Sequence, residues 1–291
     1  MQPEKLKVRI GYLQSDLHHL PAFVALEKKY FQDAGLIVEV AGVFRAGPEL
    51  MSAFAANELD VGYVGLAPAI TAVANGTAAV RYIAQVNREG SAIVVAKESP
   101  YNKVADLQGK VVTIPGHATM QDFLLRKAFK KERVPFDAVK LLVLKPPEMI
   151  AALDQKDIEA FIAWEPYPAK AVLGNSGKVL VNSHDIWPDH PCCVVISTDK
   201  FIKEHQALIN KFQDAHKRAC NFISSNPEDA IDIGVTYTGM EKETIRKALS
   251  SILYDGDLKR ENLTEFIVFL KELRYIKPDS SETNLIYNFA P

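Results

Sequence analysis

Short alternating or wholly apolar runs, separated by longer runs with helical spacing, set the pattern of this chain. Lys7 to Leu13 alternates as a half-buried strand does, and a helix opening near Pro21 places Phe23, Leu26 and Tyr30 on one face before Gly35 stops it. Leu36 to Val40 then reads as a strand and Gly42 to Gly47 as a loop. The stretch Pro48 to Ala67, PELMSAFAANELDVGYVGLA, carries a pattern that returns from Pro147 to Pro166, PEMIAALDQKDIEAFIAWEP. Each copy opens a helix on Pro-Glu, because proline lacks only an N–H that the first turn leaves unpaired and a carboxylate suits the positive end. Leu50, Met51 and Phe54, or Met149, Ile150 and Leu153, give each helix one buried face, and a polar turn leads into a strand, Val61 to Val64 or Ala160 to Ala163. Two like units predict two like α/β lobes. Chance agreement between ordinary helix-turn-strand units is the competing explanation, and the matched Pro-Glu and Asp60/Glu159 positions weigh against it.

The remaining pattern fills in those lobes. A helix from Pro68 to Gly76 and a strand from Val80 to Val86 complete the first, while a strand Lys110 to Ile114, a helix Met120 to Phe129 and a strand Leu141 to Leu144 belong to the second. The apolar runs Ala92 to Ala96 and Cys193 to Ser197 are predicted as two crossings between lobes, which makes a hinge. Lys200 to Ser225, Pro227 to Tyr237, Glu243 to Ile252 and Leu263 to Leu273 read as amphipathic helices that fold back on the first lobe. The expected division is residues 1–91 with 197–291 as lobe 1 and its C-terminal helices, and 92–196 as lobe 2, with a ligand cleft between them.

Composition narrows the function. With 291 residues and 48% apolar content the chain can bury two cores, and its net charge of -2 with no basic run argues against nucleic acid or an anionic membrane as partner. No apolar stretch reaches the roughly 18 residues that span a bilayer. The start, MQPEKLKVRIGYLQ, goes straight into a strand with no leader visible, which fits a cytosolic chain or one whose leader has been removed. Three cysteines do not make a disulfide framework.

Open α/β sheets bind ligands beyond the carboxyl ends of their strands, so the candidate chemistry lies at the strand exits. These supply Gln14, Ser15 and His18 after the first strand, Gly65, Leu66 and Ala67 after the repeat's first strand, His117, Ala118 and Thr119 before a helix, and Trp164 with Glu165 after the second copy. Free N–H groups at helix starts attract negative charge. Histidines donate to anionic oxygens, and Arg88, beside Ser91 at the first crossing, offers a two-pronged donor. His190 sits in a further loop. Each has an ordinary structural alternative: a satisfied histidine, a salt bridge from Arg88 to an acidic neighbour, a packing role for Trp164, a solvated Glu165. No nucleophile elbow, phosphate loop or dinucleotide fingerprint is present, so no catalytic residue and no cofactor is expected. Cys192 and Cys193 would point to opposite faces of a strand, which argues against a shared metal ion. Cys220 reads as core.

The phrases ALEKKYFQDAGLIVEV, AGPELMSAFAANELDVGYVGLAPAITAVANG, GSAIVV, VADLQGKVV and FIAWEPYPA together resemble the substrate-binding proteins of nitrate, sulfonate and taurine ABC importers, as far as about Ile202. That resemblance implies the two-lobed periplasmic-binding-protein type 2 fold, closure on a small anionic solute, a membrane permease with an ATPase as partners, a monomer, and a periplasmic or lipid-anchored location. It also implies ligand contacts from the loop after the first strand and from the segments at Gly65 to Pro68, His117 to Thr119 and Trp164-Glu165. The alternatives are a binding protein for a thiamine-precursor pyrimidine or other aromatic solute, and an enzyme like the related thiamine-pyrimidine synthase. In that enzyme's pattern Val64 stands where a lysine is required and Pro68 where a histidine is, and its cysteine-rich segment corresponds only to His190-Pro191-Cys192-Cys193.

Overall fold

In the computed structural model, which describes residues 7–257 and 263–281, each copy of the Pro-Glu unit places its strand at the same position of a different sheet. The strands are β1 (Lys7–Leu13), β2 (Ile37–Phe44), β3 (Val61–Gly65), β4 (Val80–Glu89), β5 (Ser91–Ala96), β6 (Val111–Ile114), β7 (Lys140–Val143), β8 (Ala160–Trp164), β9 (Gly177–Asn182), β10 (Pro191–Thr198) and β11 (Ile252–Tyr254). One sheet runs β11-β4-β10-β3-β1-β2 and the other β7-β6-β8-β5-β9. Apart from β11 the two orders are the same: a parallel trio ending in the repeat's strand, then an antiparallel strand, then one more. The repeat helices Gly47–Ala55 and Pro146–Asp154 precede β3 and β8 in each. Both trios carry runs buried on two faces, as sheets covered by helices must.

The crossings are shorter than the sequence suggests. The runs Ala92 to Ala96 and Cys193 to Ser197 lie inside sheets, within β5 and β10, and the chain changes sheets at Gly90 and again between Asn182 and Pro191. Gly90 holds a φ of +85°, and its carbonyl accepts from Glu165 N at 2.9 Å and from His18 Nε2 at 2.7 Å. This one peptide therefore ties the turn after β1 to the exit of β8.

Several helices differ from expectation, among them Lys200 to Ser225, which breaks at His205 into Asp199–Glu204 and Gln206–Ser225. The first helix of the chain is interrupted at Lys29, whose φ is +60°, into Leu20–Glu27 and Tyr30–Asp33. The break brings Phe31 onto Phe212, ring centroids 4.6 Å apart, and Tyr30 beneath Arg218. The last described helix, Leu263–Glu272, lies against the second lobe, and just beyond it Tyr275 O accepts from Asn75 Nδ2 of the first lobe at 2.9 Å. The helix packs on Met120–Lys131, with Phe266 and Phe269 against Phe123 at 4.4 and 4.9 Å, and with the pairs Lys127–Glu265 and Lys130–Glu272 at its rim. An amphipathic face requires burial without saying against what. Of the division expected from the sequence, residues 1–6, 258–262 and 282–291 lie outside the described residues.

Helix Gln206–Ser225 covers the first sheet and buries His216 completely. Its Nε2–H donates to Gln85 O at 2.7 Å and its Nδ1 accepts from Tyr63 OH at 3.2 Å, so both ring atoms are satisfied in the neutral form. Burial pushes its pKa down to about 4. The unfolded chain therefore takes up this proton first as pH falls, and stability declines between about pH 6.5 and pH 4. From pH 7 to pH 5 the wild type should lose roughly 2 kcal/mol more than His216→Gln in urea unfolding; equal losses would remove His216 as the cause.

Candidate functional site

β1 ends in a turn whose geometry comes from Asp16. Its carboxylate accepts from His18 N at 2.9 Å and starts the single turn Leu17–His19, which leads into Leu20–Glu27. The turn buries Asp16, His18 and His19 almost completely. His19 Nδ1 accepts from Leu13 N at 3.1 Å, which leaves its proton on Nε2, 3.8 Å from Asp16. His18 donates Nε2–H to the Gly90 carbonyl, and its Nδ1 then faces two sulfurs, Cys192 Sγ at 3.4 Å and Cys193 Sγ at 3.7 Å.

Those two sulfurs are neighbours, 3.9 Å apart, rather than on opposite faces. The reason is a pair of register shifts in β10 on either side of Cys193, opposite β4, with Asn87 Oδ1 taking the Cys193 N–H at 3.2 Å. A bulge breaks the strict alternation of a strand, so the sequence-based objection to a shared ligand fails on geometry. Pro191 was the available signal, since proline within a strand belongs at an edge or a bulge.

The electrostatics of this cluster follow from its dryness. Burial pushes the Asp16 carboxyl up to about 7 against the pull of His18. Burial also opposes charge on His18, but Cys192 and Asp16 outweigh it and bring its pKa up to about 9. The hydrogen bond from Cys193, helped by His18, holds the Cys192 thiol well below its ordinary value, while burial pushes Cys193 well above.

Gly65 of one lobe and Trp164 of the other line the same small pocket as this cluster, together with Thr119, Met120 and Gln121. The room left in it is about 20 Å³, enough for about one water. Outside it, Trp164 also lines a pocket of about 240 Å³ with Gln14, Arg45, Lys145 and Tyr167. Lys145 Nζ reaches Glu49 Oε1 at 2.9 Å, so the starts of the two repeat helices meet across the mouth. The buried Trp164 Nε1 has no acceptor among the described residues.

His18, Gly65, Thr119 and Trp164 are therefore brought together, with Gln14 at the outer pocket. Other candidates are placed elsewhere. Arg88 is ion-paired to Asp189 and to Asp255 at the β4–β11 edge, because β4 runs on to Glu89 and carries Arg88 with it. Glu165 Oε2 accepts from Ala169 N at 3.0 Å, capping its own helix Tyr167–Leu173, and burial pushes its pKa up to about 7. The helix start at Met120 is filled by the chain itself: Asp122 accepts from Ala118 N at 3.0 Å, and Thr119 Oγ1 takes Asp122 N at 3.2 Å. His117 and Ala118 line a separate outer groove. Ser15 donates to Thr238 O, Ser91 accepts from Gln121, and Leu66 and Ala67 are core. His190 is buried with Nδ1 donating to Trp187 O at 2.6 Å. Arg45 and Lys145 went unnoticed in the sequence because single basic residues carry no pattern.

Residues 1–234 match the family model described as the NMT1-like family. The chain belongs to the NMT1-like family. Among this member's relatives is a provisionally named binding protein of Brucella abortus (strain 2308), 27% identical over 244 residues, 83% of this chain and 75% of that one. The taurine-binding periplasmic protein of Escherichia coli (strain K12) is 25% identical over 230 residues, 78% of this chain and 69% of that one. In structure the NMT1-like chain is similar to the alkanesulfonate-binding protein SsuA from Xanthomonas axonopodis pv. citri bound to MOPS, with a TM-score of 0.83 and 18% identity over 96% of this chain and 97% of that one. This likeness shows the fold: two α/β lobes of the periplasmic-binding-protein type. Among the described residues no helix is long and apolar enough to cross a membrane.

Proposed function

We propose that the protein is a solute receptor that takes a small organic anion of the sulfonate type between its lobes and hands it on unchanged. The observation that carries this reading is the indole N–H of Trp164, buried and without an acceptor among the described residues, at the junction of the small inner pocket and an outer pocket edged by Arg45 and Lys145. A buried donor left unpaired costs about 1–3 kcal/mol, which an oxygen of a bound solute would recover. The likeness to a taurine-binding and an alkanesulfonate-binding protein supports the same solute class. Partners on this reading are the permease and ATPase of an ABC importer, and the place of work is outside the cytoplasmic membrane. The cleft would separate residues 7–89 and 191–257 from 91–182 and the helix Leu263–Glu272. The synthase-like enzyme is disfavoured because Val64 and Pro68 offer neither amine nor imidazole and are buried in the core.

A thermal-shift and calorimetric panel of alkanesulfonates, taurine, nitrate and a thiamine-precursor pyrimidine tests the proposal. An alkanesulfonate or taurine should raise the melting temperature, and Trp164→Ala should weaken its binding by roughly tenfold or more with the fold intact. If only the pyrimidine binds, the anion reading fails. Unchanged affinity in the variant would take Trp164 out of the site.

A further inference from the structure

The cluster of His18, Cys192 and Cys193 has the dimensions of a metal site. The His18 Nδ1, Cys192 Sγ and Cys193 Sγ atoms form a triangle with sides of 3.4, 3.7 and 3.9 Å. The point equidistant from the three corners of such a triangle lies about 2.1 Å from each, against about 2.0–2.1 Å for zinc to imidazole nitrogen and about 2.3 Å for zinc to thiolate sulfur. Raising the ion by less than ~1 Å out of that plane brings both sulfurs to their bonding distance, and such pyramidal displacement is how three ligands leave a fourth position open.

The groups that hold the three residues agree with this. A ligating histidine ordinarily gives its other N–H to a carbonyl or carboxylate, and His18 Nε2 lies 2.7 Å from the Gly90 carbonyl, which leaves Nδ1 as the coordinating atom. Cys193 is held by the Asn87 side chain at its backbone N–H, which fixes the bulge that aims both sulfurs at one point. All three residues are buried, and all three line the small inner pocket that also receives Gly65, Thr119 and Trp164.

We propose that His18, Cys192 and Cys193 bind a thiophilic cation of the zinc type as a fixed part of the cleft floor, with its fourth position opening on the pocket where the solute enters. Neutral imidazole and thiolates suit zinc or copper(I) and disfavour magnesium or calcium, which take oxygen ligands. An oxygen of the anionic solute is the natural fourth ligand. That last step rests on the receptor reading above; the binding of the ion does not.

The test uses the whole protein, reduced and stripped with a chelator, then titrated with zinc chloride by calorimetry and with cobalt(II) by absorption. About one ion per chain is expected, with a thiolate-to-cobalt charge-transfer band in the near ultraviolet and a zinc-dependent rise in melting temperature. The Cys192→Ser/Cys193→Ser variant should lose both the uptake and the band. Should that variant not fold, His18→Gln keeps both thiols and should weaken zinc binding at least tenfold. Wild-type protein with its thiols reduced that takes up neither zinc nor cobalt overturns the proposal, and so does cobalt uptake without a thiolate band. Titrating the solute panel with and without chelator separates the two readings. Ion uptake without solute binding sinks only the receptor, and solute binding without ion uptake sinks only the metal site.

Discussion

Gly90→Ala is expected to destabilise the protein by about 3 kcal/mol or more, because two costs fall on one atom. A methyl group there would sit 2.5 Å from His18 Nε2 and 2.8 Å from Ile252 Cγ1, and the backbone already holds a φ of +85° that side chains rarely adopt. Neither neighbour can withdraw cheaply. His18 is fully buried and bonded to the Gly90 carbonyl itself, and Ile252 belongs to β11 at the sheet edge. A shift of the Gly90 peptide would also loosen Glu165 N, and with it the fixed placing of β8 relative to the turn after β1. Urea unfolding of the variant beside wild type reads this directly. A loss below about 1 kcal/mol would mean that the crossing is soft and Gly90 does not set it.

The second large effect is expected at Phe123→Ala, at about 3–5 kcal/mol. Its ring is fully buried against Phe266, Phe269 and Trp187, centroids 4.4, 4.9 and 5.3 Å away, so truncation opens a cavity under the last described helix. The contrast is Lys130→Ala, which removes an exposed pair with Glu272 and an exposed ammonium 4.9 Å over the Phe269 ring but opens no cavity, and should cost at most about 1 kcal/mol. Denaturant curves of the two variants, with limited proteolysis to ask whether Leu263–Glu272 is released first, check both values. If Phe123→Ala is as mild as Lys130→Ala, the helix is not anchored on the second lobe by this aromatic cluster.

The repeat was legible because its signals are local. Pro-Glu at a helix start, apolar spacing and a polar turn depend on residues a few positions apart, and they placed β3 and β8 and hence the twin sheets. β9 and β11 were missed: the first opens on Gly177-Lys178 with weak alternation, and the second is three residues long and owes its strand form to pairing with β4. The site was legible in part for the same reason. Gly65 and Trp164 end strands and Thr119 follows one, and they could be found from that alone, whereas Asp16, Cys192 and Cys193 become a cluster only through a bulge and a buried turn. Arg88 looked like a ligand group because its partners Asp189 and Asp255 are distant in sequence or reached through a turn.

Closure of two like lobes on an anionic solute is the centre of this account, and a distance across the mouth tests it most directly. Ser52 and Ala151 are exposed on the repeat helices Gly47–Ala55 and Pro146–Asp154, whose starts meet through Glu49 and Lys145. With spin labels at these positions, pulsed electron resonance on solute-free protein should give a broad or long distribution that narrows to one short distance at saturating alkanesulfonate or taurine. A distribution that no anion in the panel alters would contradict the account.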